Sequence, residues 1–237
     1  MSESGGFVPI SNLSRRDVLR QIALALTAAG AGAMNPASAQ EVHRHTQEER
    51  QRTGTYEPKF LKPHEYQTLR RLAELIVPAD EKSGSAVDAG AHEFIDLLCS
   101  QNEQLGRIYS GGLLWLDARM RQDHAVSFLQ ATEPQQVGML NTLAEADGAA
   151  RAASPNSVID PTAPYLRFQD YGLELAGDLG PGVRFFDWVR RMTVDAYYTS
   201  PIGIKDLGFE GNTALSEYSV PQDIIDHALS RSPFRAG

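Results

Sequence analysis

The chain has 237 residues, a formal net charge of -8 at neutral pH and 42% hydrophobic residues. That length and apolar content allow one ordinary packed domain plus a leader, and the acidic balance excludes a nucleic-acid partner read through basic patches. Its single cysteine, Cys99, cannot form an internal disulfide, so the chain is no disulfide-framed miniprotein.

The N-terminus carries Ser14-Arg15-Arg16-Asp17-Val18-Leu19-Arg20, then an uncharged stretch from Gln21 to Gln40 rich in Ala, Gly and Leu. The apolar part, Ile22 to Ala33, falls short of the roughly 20 residues that a bilayer span needs. It ends in Ala37-Ser38-Ala39, a small-x-small cleavage signature. The paired Arg15 and Arg16 resemble the twin-arginine consensus, with Val18 and Arg20 where the commonest forms carry Phe and Lys. Residues 1–39 therefore read as a twin-arginine signal peptide, with an ordinary secretory leader as the alternative. Cleavage after Ala39 would make Gln40 the mature N-terminus.

Residues 40–55 are polar, lack an apolar face and read as a disordered spacer. His43 and His45 lie here, and an H-x-H pair in such a spacer is more often incidental than a metal site. From Tyr56 onward order is expected. Pro63 suits a first helical turn, and Tyr66, Leu69, Leu72, Ala73 and Ile76 recur at helical spacing until Pro78 stops them. Ala79 to Val87 reads as a loop. A second helix is expected over Ala89 to Ser100, with Phe94, Ile95, Leu97 and Leu98 as its apolar face. Cys99 beside that face is read two ways: as a small buried hydrophobe, or as a thiol facing a partner subunit.

Leu105, Ile108, Tyr109, Leu113, Leu116 and Met120 mark a third helix, in which Gly111-Gly112 suits a tight helix crossing. A fourth follows Pro134, with Val137, Leu140 and Leu143 inward and Asp147-Gly148 as its end. Ala149 to Pro164 reads as a connection, Tyr165 to Leu175 as helical, and Gly180-Pro181-Gly182 as a break. The strongest apolar stripe follows: Phe185, Trp188, Val189, Met192 and Ala196, flanked by Phe186, Val194 and Tyr197. It predicts a central core helix. Beyond it, Gly203, Gly208 and Gly211 imply a specific irregular backbone, and Pro221 to Leu229 a short closing helix. No long apolar–polar alternation occurs, so the fold class is all-α: one irregular helical domain over residues 56–230, after the cleaved export signal.

Chemistry-bearing motifs are missing from the sequence. It has no G-x-G-x-x-G, C-x-x-C-H, H-E-x-x-H or G-x-S-x-G, and one cysteine cannot ligate an iron–sulfur cluster alone. The expectation is no catalytic, cofactor-binding or metal site in this chain. An exported, pre-folded chain without a cofactor site suggests that the cofactor belongs to a partner.

Several segments together suggest a family. Phe60-Leu61 through Ile76-Val77-Pro78-Ala79-Asp80, Ala91 to Leu98 with Phe94-Ile95-Asp96, and Tyr197-Tyr198-Thr199-Ser200-Pro201 followed by Gly203 and Leu207-Gly208-Phe209-Glu210-Gly211-Asn212 resemble the gluconate 2-dehydrogenase subunit 3 family over residues 60–212. The resemblance implies a non-catalytic, chaperone-like accessory subunit of a periplasmic oxidoreductase complex. Its partners would be a large flavin-dependent subunit of the glucose–methanol–choline type carrying FAD, a cytochrome c subunit carrying haem c, and the twin-arginine translocase. The complex would hold the chain at the inner membrane. From its glycines and aromatics, the segment Tyr198 to Asn212 is expected to contribute to docking on the large subunit, with Tyr198, Phe209, Gly211, Asn212 and, in its second reading, Cys99 as the interface residues; the alternative is a loop whose aromatics tuck under their own domain. A free-standing periplasmic binding or scaffold protein is the competing reading.

Overall fold

The computed structural model describes residues 36–153, 177–208, 220 and 222–231. All regular elements among them are helices: α1 (Pro36–Thr53), α2 (Pro63–Ile76), α3 (Ala91–Gln101), α4 (Glu103–His124), a 3-10 turn (Phe128–Gln130), α5 (Glu133–Ala153), α6 (Gly180–Tyr198), α7 (Pro201–Asp206) and α8 (Gln222–Arg231). The all-α reading holds. The described residues up to Leu207 pack as one unit, and α8 belongs to a second that starts at Gly208. Among the described residues no helix is long and apolar enough to cross a membrane. Tyr165 to Leu175 lies outside the described residues, as do Arg15 and Arg16.

The centre of the first unit is α3. Every residue from Ala91 to Cys99 is buried, because α1, α2, α4 and α6 all pack against it. A helix apolar on most sides must be enclosed this way. Cys99, on α3, is only 1% exposed, and burial pushes its thiol well up from the ordinary range. The partner-facing reading of Cys99 is therefore corrected. Its position on an enclosed helix leaves the sulfur nowhere to go but the core.

The apolar stripe on α6 is buried throughout: Phe185, Trp188, Val189, Met192 and Ala196 are each at most 3% exposed. Its partner is α4, capped by Asn102, whose side chain accepts from the backbone N–H groups of Gln104 and Leu105. Each of these two helices offers a glycine to the other's aromatic ring. A β-carbon on Gly112 would lie 2.1 Å from the Phe185 ring, and one on Gly182 would lie 2.1 Å from the Trp115 ring. The pair is a close crossing that only residues without a side chain permit. Gly180-Pro181-Gly182 is thus the first turn of α6 and no break, since Pro181 suits that position.

The neighbouring glycines Gly111 and Gly112 should respond with opposite signs. Nothing lies within 4 Å of a β-carbon built on Gly111, so Gly111→Ala should gain about 0.5–1 kcal/mol of helix stability. Gly112→Ala meets the Phe185 ring and should cost about 1–3 kcal/mol as overpacking. Urea denaturation of both variants checks the pair. Equal signs would show that α4 and α6 do not cross here.

Two expectations on the helices change. Residues 40–55 are no disordered spacer: most of them form α1, with Ala39 and Val42 fully buried and His43 and Thr46 each 4% exposed. The buried face is made of small and polar residues, so the segment looks solvated in sequence while its geometry is amphipathic. Arg50 Nε donates to Glu93 Oε2 on α3 at 2.6 Å, and Lys59 pairs with Glu49. On α5, Val137 points outward at 38% exposure, while Gln136, Met139, Leu140 and Leu143 face inward. The inward row runs at helical spacing from Gln136, which places Val137 off it. The helix also passes Asp147-Gly148 and continues to Ala153.

Candidate partner-docking surface

The segment after the core helix is built around Ser200. Its backbone N–H donates to the Tyr197 carbonyl at 3.0 Å and ends α6. Its hydroxyl donates to the same carbonyl at 2.6 Å and accepts from the Gly203 N–H at 3.0 Å. Ser200 thereby caps α7, and Pro201 fills the first turn. A β-carbon on Gly203 would stand 2.1 Å from the Tyr197 carbonyl oxygen, so the two helix ends touch backbone to backbone. Gly208 follows with a φ of +63°, a left-handed position that suits glycine. Where an irregular loop was expected, a capped short helix is held rigidly to the end of α6.

The adjacent tyrosines on that corner divide their roles. Tyr197 is 2% exposed, and its hydroxyl shares a 2.6 Å hydrogen bond with Ser83 and donates to Asp206 at 3.3 Å. Tyr198 stacks edge-on against Tyr197, with ring centroids 4.9 Å apart, and remains 39% exposed. Leu207, at the end of α7, is 61% exposed. The corner thus presents an aromatic and an aliphatic side chain on a fixed backbone. Phe209, Gly211 and Asn212 lie outside the described residues. Leu207 was available in the sequence only as part of the motif, with no signal that it faces outward.

Polar clusters tie the body of the domain together. Asp96 is fully buried on α3 and accepts four hydrogen bonds, from the Tyr56 hydroxyl and the backbone N–H groups of Lys59, Phe60 and Leu61. Asp117 on α4 accepts from His64 at 2.6 Å, Arg121 at 3.2 Å and the Phe128 N–H at 2.9 Å. Both carboxylates are spent on holding chain segments to helices. His43 shares a 3.2 Å hydrogen bond with the Thr199 hydroxyl, which ties α1 to the Tyr198 corner, while His45 pairs with Glu41 at 3.1 Å. Among the described residues no group of three or more His, Cys, Asp or Glu could hold a metal ion.

Against known proteins, the model of the family described as gluconate 2-dehydrogenase subunit 3 matches residues 63–215, more than half of the chain. The chain belongs to this family. The match begins at the first residue of α2 and runs through α7, so it contains Asp96, Asp117 and the Tyr198 corner. As its description says, gluconate 2-dehydrogenase subunit 3 is one component of a dehydrogenase, so this chain is an accessory subunit of such a complex. No curated protein and no solved structure matches the chain.

Proposed function

We propose that the chain is the non-catalytic small subunit of a periplasmic, membrane-associated, flavin-dependent dehydrogenase of sugars or sugar acids. In this reading it helps the catalytic subunit fold and carries it through the twin-arginine translocase. FAD resides in the large partner of the glucose–methanol–choline type, and haem c in a cytochrome subunit. The observation that carries the reading is the family match over residues 63–215, joined to the Arg15-Arg16 signature ahead of a weak apolar stretch. Replacing Arg15 and Arg16 with Lys tests it. Both this chain and flavin-bearing dehydrogenase activity should vanish from the periplasmic fraction. Normal periplasmic activity in the double variant would refute the escort role.

Within that reading, the corner after α6 docks on the large subunit through Tyr198, with Phe209, Gly211 and Asn212 following in the same motif. Exposed aromatics on a rigid backbone are the residue type that anchors interfaces. Tyr198→Ala should leave the melting temperature within about 1–2 °C, since the ring is partly solvated and no buried group loses its partner. It should weaken co-purification of the flavin subunit by roughly ten-fold or more. A variant that melts normally and still co-purifies fully would remove Tyr198 from the interface.

A further inference from the structure

The peptide bond marked for leader cleavage, Ala39–Gln40, lies inside α1. Peptidases take their substrates as an extended strand, in which side chains two positions apart point to the same side. The small-x-small signature is such a pair: Ala37 and Ala39 must enter the same cleft together. On α1 they diverge. Ala37 is exposed, whereas Ala39 is fully buried. The next turn is anchored harder. Val42 is fully buried, and His43 packs against the Phe94 ring of α3 at 4.8 Å between centroids and bonds to Thr199.

We propose that the folded domain masks its own leader-cleavage site, so that leader removal requires the start of α1 to undock. The proposal rests on the reading of residues 1–39 as a leader. A twin-arginine passenger folds before export, so the peptidase on the far side meets α1 already docked. Only the stretch around the Ala39–Gln40 bond needs to open. Burial of Ala39 and the anchors at Val42 and His43 set how often it opens. Processing is thereby coupled to the state of the α1 face, which also reaches Thr199 beside the docking corner.

The test compares leader peptidase in detergent on two substrates: a peptide spanning residues 28–50 and the purified full chain. The peptide should be cut after Ala39, and the folded chain roughly ten-fold or more slowly. Val42→Asp should raise the rate on the full chain toward that of the peptide while the main melting transition remains. If that variant loses its main transition, His43→Ala takes its place. Hydrogen exchange on the unaltered chain gives a reading without any variant: the amides of residues 41–46 should be protected. Equal cleavage of peptide and folded chain, or unprotected amides, would overturn the masking. So would slow cleavage of a variant whose α1 amides have lost protection. An uncut peptide would overturn it differently, by removing the leader reading while leaving the docking of α1 intact.

Discussion

Asp96→Ala should destabilise the domain by about 4–5 kcal/mol, near the upper end for a single substitution. The reason lies in what the carboxylate holds. Oδ2 accepts from the Tyr56 hydroxyl at 2.8 Å and the Lys59 N–H at 2.6 Å, and Oδ1 accepts from the N–H groups of Phe60 at 3.2 Å and Leu61 at 2.8 Å. All four donors meet a residue with no solvent exposure, and removing the acceptor leaves the Tyr56 hydroxyl and the Leu61 N–H buried without that partner. The segment they fix also carries the Phe60 ring onto Gly106 of α4, where a β-carbon would stand 2.5 Å from it. Asp96→Asn discriminates between charge and shape. Its amide matches the carboxylate in size, but its NH2 would face the N–H groups of Phe60 and Leu61 in one orientation and the Lys59 N–H in the other. It should still cost about 2–4 kcal/mol. Urea denaturation of both variants measures the effect, and an Asn variant as stable as the parent would show that the backbone donors are satisfied elsewhere.

None of that role for Asp96 is visible in the sequence near it, because Tyr56 to Leu61 lie more than thirty residues away. The sequence shows only an acid amid consecutive apolar residues. Elements with a dense apolar row were legible. The stripe from Tyr66 to Ala73 and the one from Phe185 to Ala196 each mark a buried helix face, since large side chains at helical spacing leave little choice of face. α1 was not legible, because a face of Ala39, Val42, His43 and Thr46 buries little apolar surface and relies on Arg50–Glu93 and His43–Thr199 contacts made far along the chain. At the corner after α6 the sequence misleads in the opposite sense. Gly203 and Gly208 suggested irregular backbone, yet Ser200-Pro201 is a cap followed by a first-turn proline. Gly203 serves close approach to Tyr197 inside a helix. Tyr198 stands out in the sequence by type and place, and its exposure is a tertiary fact that periodicity cannot supply.

Acidification should destabilise this domain through two buried histidines. Burial holds His43 down to about 4, helped by the charge of Arg50 and opposed by a hydrogen bond to the Ala196 carbonyl. Burial, with the charges of Arg70 and Arg50, holds His92 down to about 3; its ring lies 5.2 Å from that of Tyr66, and Nδ1 has no hydrogen-bond partner. In the unfolded chain both titrate near 6.5. Above that value neither state binds the proton and the full stability is present. Below it the unfolded chain takes up protons that the folded chain refuses, so stability falls by about 1.4 kcal/mol per pH unit for each histidine. Asp195 works in the opposite sense. Burial raises it to about 6, against the pull of Arg191, so the folded chain binds this proton first and regains stability between about 6 and 3.8. Glu93 is also raised by burial, against Arg50, and adds to that return. From pH 6.5 to 4.5 the histidines together cost about 5 kcal/mol, and Asp195 alone returns about 2, leaving a net loss of about 2–3 kcal/mol once Glu93 is included. The melting temperature should therefore drop over this window, and a His43→Gln, His92→Gln double variant should show a flat or rising profile there. A double variant that loses stability as steeply as the parent between pH 6.5 and 4.5 would place the acid sensitivity elsewhere, among the paired carboxylates.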